Sequence, residues 1–319
     1  MNTGYDAMKK TYNNRRETYF NYFSSGENQF MKQVRKAVIP AAGWGTRFFP
    51  ITKAMPKEMV PVVDKPVIQY VVEEAVASGC DDILIITGKN KRAIEDHFDN
   101  SQELNEHLRN SGDLKLLAES EKLADLADIH FIRQKEQKGL GDAILCAKQH
   151  VGDEPFTVLL GDTICIPDAE AKPCTAQLID IYKRYKLPVI GVETVPEHKI
   201  KDYGIIDGIL LEERLYQIKD IIEKPTPEEA PSNVGAMGRY LLTPEIFAIL
   251  EDTKPGRKGE IQLTDALRHY DASLGYVAKN TRYDIGDIPG WMVSNLQLLL
   301  KHPLYGDMIR DALEKELNQ

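Results

Sequence analysis

The sequence predicts an α/β fold, three layers in the order α/β/α around a mixed, mostly parallel central sheet. Three observations lead there. Strand-like and helix-like stretches alternate through the first two-thirds of the chain, which implies right-handed βαβ units. The strand candidates are continuous apolar runs such as Asp82–Thr87 (DILIIT), as expected of strands covered by helices on both faces. The first strand runs into a long loop bearing glycines and prolines, and ligands of open α/β sheets sit beyond the C-terminal ends of the strands.

The elements follow in order. Val34–Pro40 (VRKAVIP) reads as a short buried strand. Residues 41–66 form the loop, with Pro50, Pro56, Pro61 and Pro66. Val67–Ser78 has apolar residues at helical spacing and a stop at Gly79. Asp82–Thr87 is a strand and Lys91–Phe98 a helix. Residues 101–127 are rich in Leu, Glu, Lys and Ala, a surface-helix composition. Ile129–Arg133 is a strand, Leu140–His150 a helix, Phe156–Leu160 a strand, Ala176–Tyr185 a helix and Pro188–Glu193 a strand. Beyond residue 200 the pattern changes. Tyr203–Glu223 alternates like an antiparallel pair around Asp207–Gly208, Ala236–Leu242 is a strand, and Pro244–Glu251 and Ile261–Tyr270 are helices. Leu274–Ala278 is a further strand. Pro289–Leu300 and Pro303–Leu317 close the chain as helices.

The 319 residues suit one large domain or two modest ones. No linker divides them, so residues 31–319 are expected to form a single domain whose terminal helices start near 289. Residues 1–30 are polar and lack the apolar stretch of a secretory signal. They read as a disordered extension or a translated leader. A hydrophobic fraction of 42% and a charged fraction of 28% are ordinary for a globular protein. The net charge of −9 argues against a general binder of nucleic acid or of membrane surfaces. Cys80, Cys146, Cys165 and Cys174 make no C-x-x-C pair. They read as buried or half-buried thiols, which fits a cytoplasmic location.

The loop after the first strand carries the chemistry. Between residues 31 and 66, seven cations (Lys32, Arg35, Lys36, Arg47, Lys53, Lys57 and Lys65) face two anions (Glu58 and Asp64). A basic patch in an acidic chain favours a small polyanion in a pocket over a nucleic acid strand. Gly43 and Gly45 let the backbone approach a ligand and present amide groups to anions. The P-loop spacing fails here, and position 48 is Phe where a dinucleotide-binding G-x-G-x-x-G needs glycine.

Gly43-x-Gly45-Thr46-Arg47-x-x-Pro50-x-Thr52-x-x-x-Pro56-Lys57 resembles the signature of the sugar-1-phosphate nucleotidylyltransferases. KPVIQYVVEEAVASG (65–79), IRQKEQKGLGDAI (132–144), LLGDTI (159–164), YGIID (203–207), IIEKP (221–225), MGRYLLTPEIF (237–247), GEIQLTDAL (259–267) and YDIGD (283–287) extend the resemblance from about Lys36 to about Leu300. Within the group the chain is most similar to bacterial-type members that join UTP to glucose 1-phosphate. The resemblance implies a Rossmann-like, glycosyltransferase-A-like fold. It also implies Mg²⁺-assisted transfer giving UDP-glucose and pyrophosphate, in a homodimer or homotetramer.

The resemblance implies roles residue by residue. Arg47 and Lys57 meet the triphosphate and departing pyrophosphate, and Lys224 holds the sugar phosphate. Glu223 accepts from sugar hydroxyls, while Gly204 and Gly238 permit close backbone approach to the sugar. Asp162 and Asp284 hold the metal. Gln134 offers a donor and an acceptor to the N3–H and O4 edge of uracil, an edge thymine shares. Backbone at Ala42 and Gly43 and the turn at Gly139 complete the base site. The rival readings are a thymidylyltransferase acting on the same sugar phosphate and a non-catalytic nucleotide-sugar sensor. A sensor is expected to have lost Arg47, Lys57 or Asp162. One departure stands out: Ile288 in IGDIPGW occupies a place where relatives usually have a basic or polar residue.

Overall fold

The first strand, β1 (Lys36–Pro40), lies inside the sheet, and its middle three residues are buried. These facts come from a computed structural model that describes residues 32–256 and 259–318. The expectation for residues 1–30 falls outside the described residues. Val34–Gln319 forms one compact unit.

Three single-turn 3₁₀ segments (Thr46–Phe48, Ile51–Lys53 and Lys57–Met59) shape the loop after β1. A short hairpin of β2 (Pro61–Val62) and β3 (Lys65–Pro66) follows. Helix α1 (Val67–Ala77) buries Val67, Ile68, Val71, Val72 and Ala75 on one face, the spacing its sequence shows. Next come β4 (Asp82–Thr87) and α2 (Arg92–Phe98). The charged stretch 101–127 is two helices rather than one, α3 (Gln102–Ser111) and α4 (Leu114–Ala124). They break at Gly112–Asp113, where the Asp113 carboxylate caps α4 by accepting from the Leu116 amide at 3.2 Å.

Strand β5 (Asp128–Arg133) forms one edge of the sheet. The expected helix 140–150 is split into α5 (Leu140–Leu145) and α6 (Lys148–Val151). After β6 (Phe156–Leu159) comes β7 (Thr163–Pro167), a strand the sequence reading missed. The chain continues through α7 (Cys174–Tyr185), β8 (Val189–Thr194), β9 (Gly204–Glu212) and β10 (Leu215–Glu223). The β9–β10 turn is at Glu213–Arg214, not at Asp207–Gly208. The Asp-Gly turn signal lies within β9 instead, opposite a bulge between Ile218 and Asp220. Strand β11 (Val234–Leu242), α8 (Glu245–Asp252), α9 (Leu263–Leu267), β12 (Ser273–Tyr276), β13 (Asn280–Asp284), α10 (Ile288–Lys301) and α11 (Gly306–Leu317) complete the order.

The main sheet has the order β5-β4-β1-β6-β11-β8-β12-β10-β9. It is mixed, as expected. Its parallel run is β5-β4-β1-β6, and β12 is also parallel to β8. The pairs β6–β11, β11–β8, β12–β10 and β10–β9 are antiparallel. Half of the eight neighbour pairs are therefore parallel, fewer than the sequence suggested.

Alternation along the strands builds the layers. Ala37, Ile39, Ile83 and Ile85 face α1, α2 and α7. Val38, Leu84 and Ile86 face α5, α6, α8 and α9. A third apolar cluster joins Phe48, Val60 and Val62 of the loop to Ile164 and Tyr283 of the β7–β13 ribbon and to Trp291 of α10. Helix α10 also bonds the loop directly: Trp291 Nε1 donates to the Pro61 carbonyl at 2.9 Å, and Val63 N donates to Asn295 Oδ1 at 2.8 Å. Helix α10 thus braces the basic loop. No helix among the described residues is long and apolar enough to cross a membrane. All four cysteines are free, with Cys80, Cys165 and Cys174 buried and Cys146 half-buried.

Candidate active site

The C-terminal ends of β1, β4, β5 and β6 open onto the loop that follows β1. Strands of a parallel run point their C-terminal ends the same way, so residues far apart in sequence meet there. Ala41 N donates to the Ile86 carbonyl at 2.8 Å and Gln134 N to the Thr87 carbonyl at 2.9 Å. These bonds fix Ala42 and Gln134 just past the strand ends.

Within the loop, Gly45 has φ +68°, a conformation that favours glycine. An added Cβ there would lie 3.0 Å from Thr52 Cγ2 and 3.2 Å from Lys57 Cβ. The loop therefore folds back so that its start packs on Lys57, and the Thr52 hydroxyl ties it by donating to the Gly45 carbonyl at 2.8 Å. Gly43 is exposed and open to a ligand.

Lys57 Nζ lies 2.5 Å from Asp162 Oδ2, both side chains being about one-fifth exposed (17% and 20%). Burial alone would raise the Asp162 pKa, but Lys57 and Arg47 outweigh it and hold the carboxyl below the usual carboxylate range. Burial alone would lower the Lys57 pKa, but Asp162 and Glu58 outweigh it and raise the ammonium above its ordinary value. Both groups are thus charged at neutral pH.

Asp284 reaches the same place through the β7–β13 ribbon. It pairs with Thr163, one residue beyond Asp162, and Ile285 N donates to the Asp162 carbonyl at 3.0 Å. Its Oδ1 accepts from Gly286 N at 2.9 Å and its Oδ2 from the Tyr203 hydroxyl at 3.1 Å. Arg282 holds this arrangement, donating to Tyr203 at 2.6 Å and to Glu193 Oε1 at 2.6 Å. An added Cβ at Gly286 would lie 2.8 Å from Asp284 Oδ1 and 3.4 Å from Arg47 Nη1. Arg47 therefore lies over the Asp284 turn, with its charge also felt at Asp162 and Lys57. Two carboxylates at one strand end, backed by hydrogen-bond donors, suit a hard divalent cation that takes a few protein oxygens and completes its shell with phosphate and water. Ile288 is half-buried and packs into the third apolar cluster, which accounts for an apolar residue at that position.

A second group forms at the adjacent ends of β9 and β10. Gly204 pairs directly with Glu223. Glu223 Oε2 accepts from the Thr264 hydroxyl at 2.7 Å, and Glu223 Oε1 meets Lys224 Nζ at 3.1 Å. Lys224 has φ +47°, a strained backbone for a residue with a side chain. Its side chain is nearly half exposed (45%), so the ammonium is open to a ligand. An added Cβ at Gly204 would crowd Thr264 and Glu223. Gly238 is buried, and an added Cβ there would meet Leu160 at 3.0 Å. Its φ of +83° and the nearness of Leu160 both favour glycine at 238.

The base-side residues require one correction. Gln134 is buried, and its amide nitrogen donates to Asp142 Oδ2 at 2.6 Å and to the Gly139 carbonyl at 3.2 Å. Its donor half is engaged by the protein, which leaves the amide oxygen as the half that could serve a ligand, as an acceptor. The sequence could not show this, because Asp142 is brought over it only by the turn into α5. That turn needs Gly139: its φ is +106°, and an added Cβ would lie 2.5 Å from the Ile261 carbonyl oxygen. The GEIQL segment thus docks on the KGLG turn, with Gly141 N donating to Ile261 O at 2.8 Å and Ile261 N to Lys138 O at 2.7 Å.

Other residues were missed. Gln137 donates to the Ala42 carbonyl at 2.9 Å and ties the loop after β1 to the segment after β5. Lys91 donates to Glu58 Oε2 at 2.7 Å in a buried pair directly beside Lys57. Glu58 Oε1 has no hydrogen-bond partner among the described residues. Tyr203 stands in YGIID, a segment already noted, and Arg282 immediately precedes YDIGD, so its neighbourhood was the signal that could have found it.

A UTP–glucose-1-phosphate uridylyltransferase of Bacillus subtilis (strain 168) is 51% identical over 292 residues, covering 91% of this chain and 99% of its own length. A protein of that name from Streptococcus pneumoniae serotype 4 (strain ATCC BAA-334 / TIGR4) is 49% identical over 298 residues, covering 90% and 98%. The crystal structure of a UDP-glucose pyrophosphorylase complexed with UDP-glucose superposes with a TM-score of 0.78 at 42% identity, covering 85% of this chain and 100% of the other. A UTP-bound enzyme of Acinetobacter baumannii gives a TM-score of 0.81 at 36% identity, covering 88% and 99%. The nucleotidyl transferase family profile matches residues 36–299. The chain belongs to the nucleotidyl transferase family.

Proposed function

We propose that the chain transfers a uridylyl group from UTP to α-D-glucose 1-phosphate, giving UDP-glucose and pyrophosphate. The observation that carries the transfer chemistry is the convergence of Lys57, Arg47, Asp162 and Asp284 at one end of the parallel strands. The choice of UTP and glucose 1-phosphate is supported by relatives near 50% identity that bear that name over almost their full lengths.

A sugar phosphate is largely doubly ionised at neutral pH, since its second pKa is about 6. Its oxygen attacks the α-phosphorus without a protein base. The protein supplies alignment and charge neutralisation. In this reading Arg47 and Lys57 meet the β- and γ-phosphates and offset the charge that builds on the departing pyrophosphate. Lys224, at the other end of the site, holds the phosphate of the attacking sugar. Glu223, oriented by Thr264, accepts from sugar hydroxyls. The Gln134 oxygen and backbone at Ala42, Gly43 and Gly139 meet the uracil. Asp162 and Asp284 would hold the cation, which we take to be Mg²⁺; when bound, it neutralises phosphate charge and fixes the triphosphate's conformation.

Exposed Met292, Val293 and Leu296 on α10 and Leu304 and Met308 beside and on α11 support self-association as a homodimer or homotetramer. The free thiols support a cytoplasmic location. The test is pyrophosphate release across four nucleoside triphosphates and three hexose 1-phosphates, with and without Mg²⁺. UTP with glucose 1-phosphate is expected to give the highest kcat/KM. A clear preference for dTTP would assign the chain to the thymidylyl branch, and no turnover with any pair would make it a sensor.

A further inference from the structure

The other end of the sheet carries a cluster that nucleotidyl transfer does not use. Asp82 opens β4, His130 lies two residues beyond Asp82's neighbour on β5, and His150 comes from α6. Asp82 Oδ1 lies 2.6 Å from His150 Nε2 and 3.8 Å from His130 Nε2. The three ligand atoms lie within 4.8 Å of one another, and the two imidazoles stand 4.8 Å apart, tilted by 56°. His130 is about half exposed (53%), so solvent reaches the cluster.

Topology puts these residues together. Asp82, Leu84 and Ile86 alternate onto the face of β4 that packs on α5 and α6. The register Leu84↔His130 places His130 on that same face. His150 is held from below, because Lys36 Nζ donates to its carbonyl at 2.8 Å and also pairs with Glu154 at 3.0 Å. Five residue steps of β4, roughly 16 Å at about 3.3 Å each, separate Asp82 from Thr87 at the catalytic end. The cluster is therefore a different site from the Asp162–Asp284 pair.

We infer that Asp82, His130 and His150 form a binding site for a first-row transition-metal cation of the Zn²⁺ class. Two imidazoles and one carboxylate are ligands that suit zinc and leave a fourth position to water, whereas Mg²⁺ favours an all-oxygen shell. Bonds of about 2.1 Å to a tetrahedral ion set ligand atoms about 3.4 Å apart. Reaching that from 2.6 and 3.8 Å takes a small opening at His150 and a rotation of the exposed His130 ring. A bound ion would staple β4, β5 and α6 at the end of the sheet away from catalysis.

The test is Zn²⁺ titration of the full chain by calorimetry in excess Mg²⁺, with melting temperature followed in parallel and Co²⁺ used as a visible-absorption probe. Wild type is expected to take up one equivalent of Zn²⁺, to melt higher with it, and to show the d–d bands of tetrahedral Co²⁺. Removing an outer-shell partner of a metal site weakens binding about 10- to 100-fold; His130→Gln, which deletes a direct ligand at an exposed position, is expected to weaken it at least that much. The His130→Gln/His150→Gln double variant should lose the equivalent and the bands, while Asp162→Asn keeps both. Equal uptake by wild type and the double variant overturns the site, as does loss of uptake in Asp162→Asn alone or no uptake by wild type. Retained pyrophosphate release by His130→Gln shows that the variant has folded.

Discussion

Lys57 Nζ and Asp162 Oδ2 lie 2.5 Å apart and join two loops 105 residues apart in sequence. Neither charge would stay so shielded without the other, since an unpaired buried charge is costly. A triphosphate and its cation would have to divide this pair, the metal taking Asp162 and the phosphates taking Lys57. In the proposed reaction, the pair that holds the free site in shape is the one the substrates would separate.

Replacing Lys57 by Met removes the ammonium but keeps the stem. In the proposed reaction, kcat for pyrophosphate release is expected to fall about 10²- to 10³-fold, the usual effect of deleting one group that stabilises transition-state charge. The melting temperature is expected to fall as well, because Asp162 is left without its partner, so kcat is compared well below it. A loss below about tenfold would remove Lys57 from the triphosphate role.

Asp284→Asn keeps the size and the Gly286 contact while halving the carboxylate pair. The Mg²⁺ concentration giving half-maximal rate is expected to rise at least about tenfold. Chelation with EDTA should abolish wild-type turnover and restoring Mg²⁺ should return it. A variant whose Mg²⁺ dependence matches wild type would show that Asp284 is not a ligand.

Glu74 and Arg239 form a fully buried pair, with Arg239 Nη2 donating to Glu74 Oε2 at 2.8 Å. Arg239 also donates to the Thr163 carbonyl at 2.8 Å, next to Asp162, and Glu74 accepts from the Thr175 hydroxyl at 2.7 Å. Glu74→Gln leaves the guanidinium buried beside a neutral amide. Stability by denaturant unfolding is expected to drop by about 3–5 kcal/mol. Glu74→Leu combined with Arg239→Met should recover part of that loss, because no charge is then stranded.

Burial lowers the pKa of His97, whose Nε2 stands 3.1 Å from Gln69 Oε1. The native state therefore binds this proton less readily than the unfolded chain. Its stabilising contribution is complete above the unfolded value of about 6.5 and is lost as pH falls through the lower native value. Unfolding free energy is expected to decline as pH drops below about 6.5, and His97→Gln should make that decline shallower. An unchanged slope would place the acid sensitivity elsewhere.

Most of the alternation of elements was legible because burial on both faces of a parallel strand writes itself as a continuous apolar run, as in DILIIT. The antiparallel half was harder to read. Thr163–Pro167 and Asn280–Asp284 are short, and each becomes a strand only by pairing with the other. Asp207–Gly208 has the composition of a turn, yet the bulge opposite it lets the strand continue. Two of the four antiparallel neighbour pairs arise because β11 enters between β6 and β8, a long-range choice that local propensity does not encode.

The sequence by itself determined the family, the basic loop, and the residue types of the candidate site: Arg47, Lys57, Asp162, Glu223, Lys224 and Asp284. Those are carried by spacing, and spacing survives without coordinates. Only the tertiary structure decided which of them touch. It set Lys57 against Asp162, turned the Gln134 amide nitrogen towards Asp142, buried Gly238 against Leu160, and gathered Asp82, His130 and His150 at the far end of the sheet. The physical reason is that side-chain partners are fixed by strand register and helix packing across long separations, while a linear pattern records only what each short segment can become.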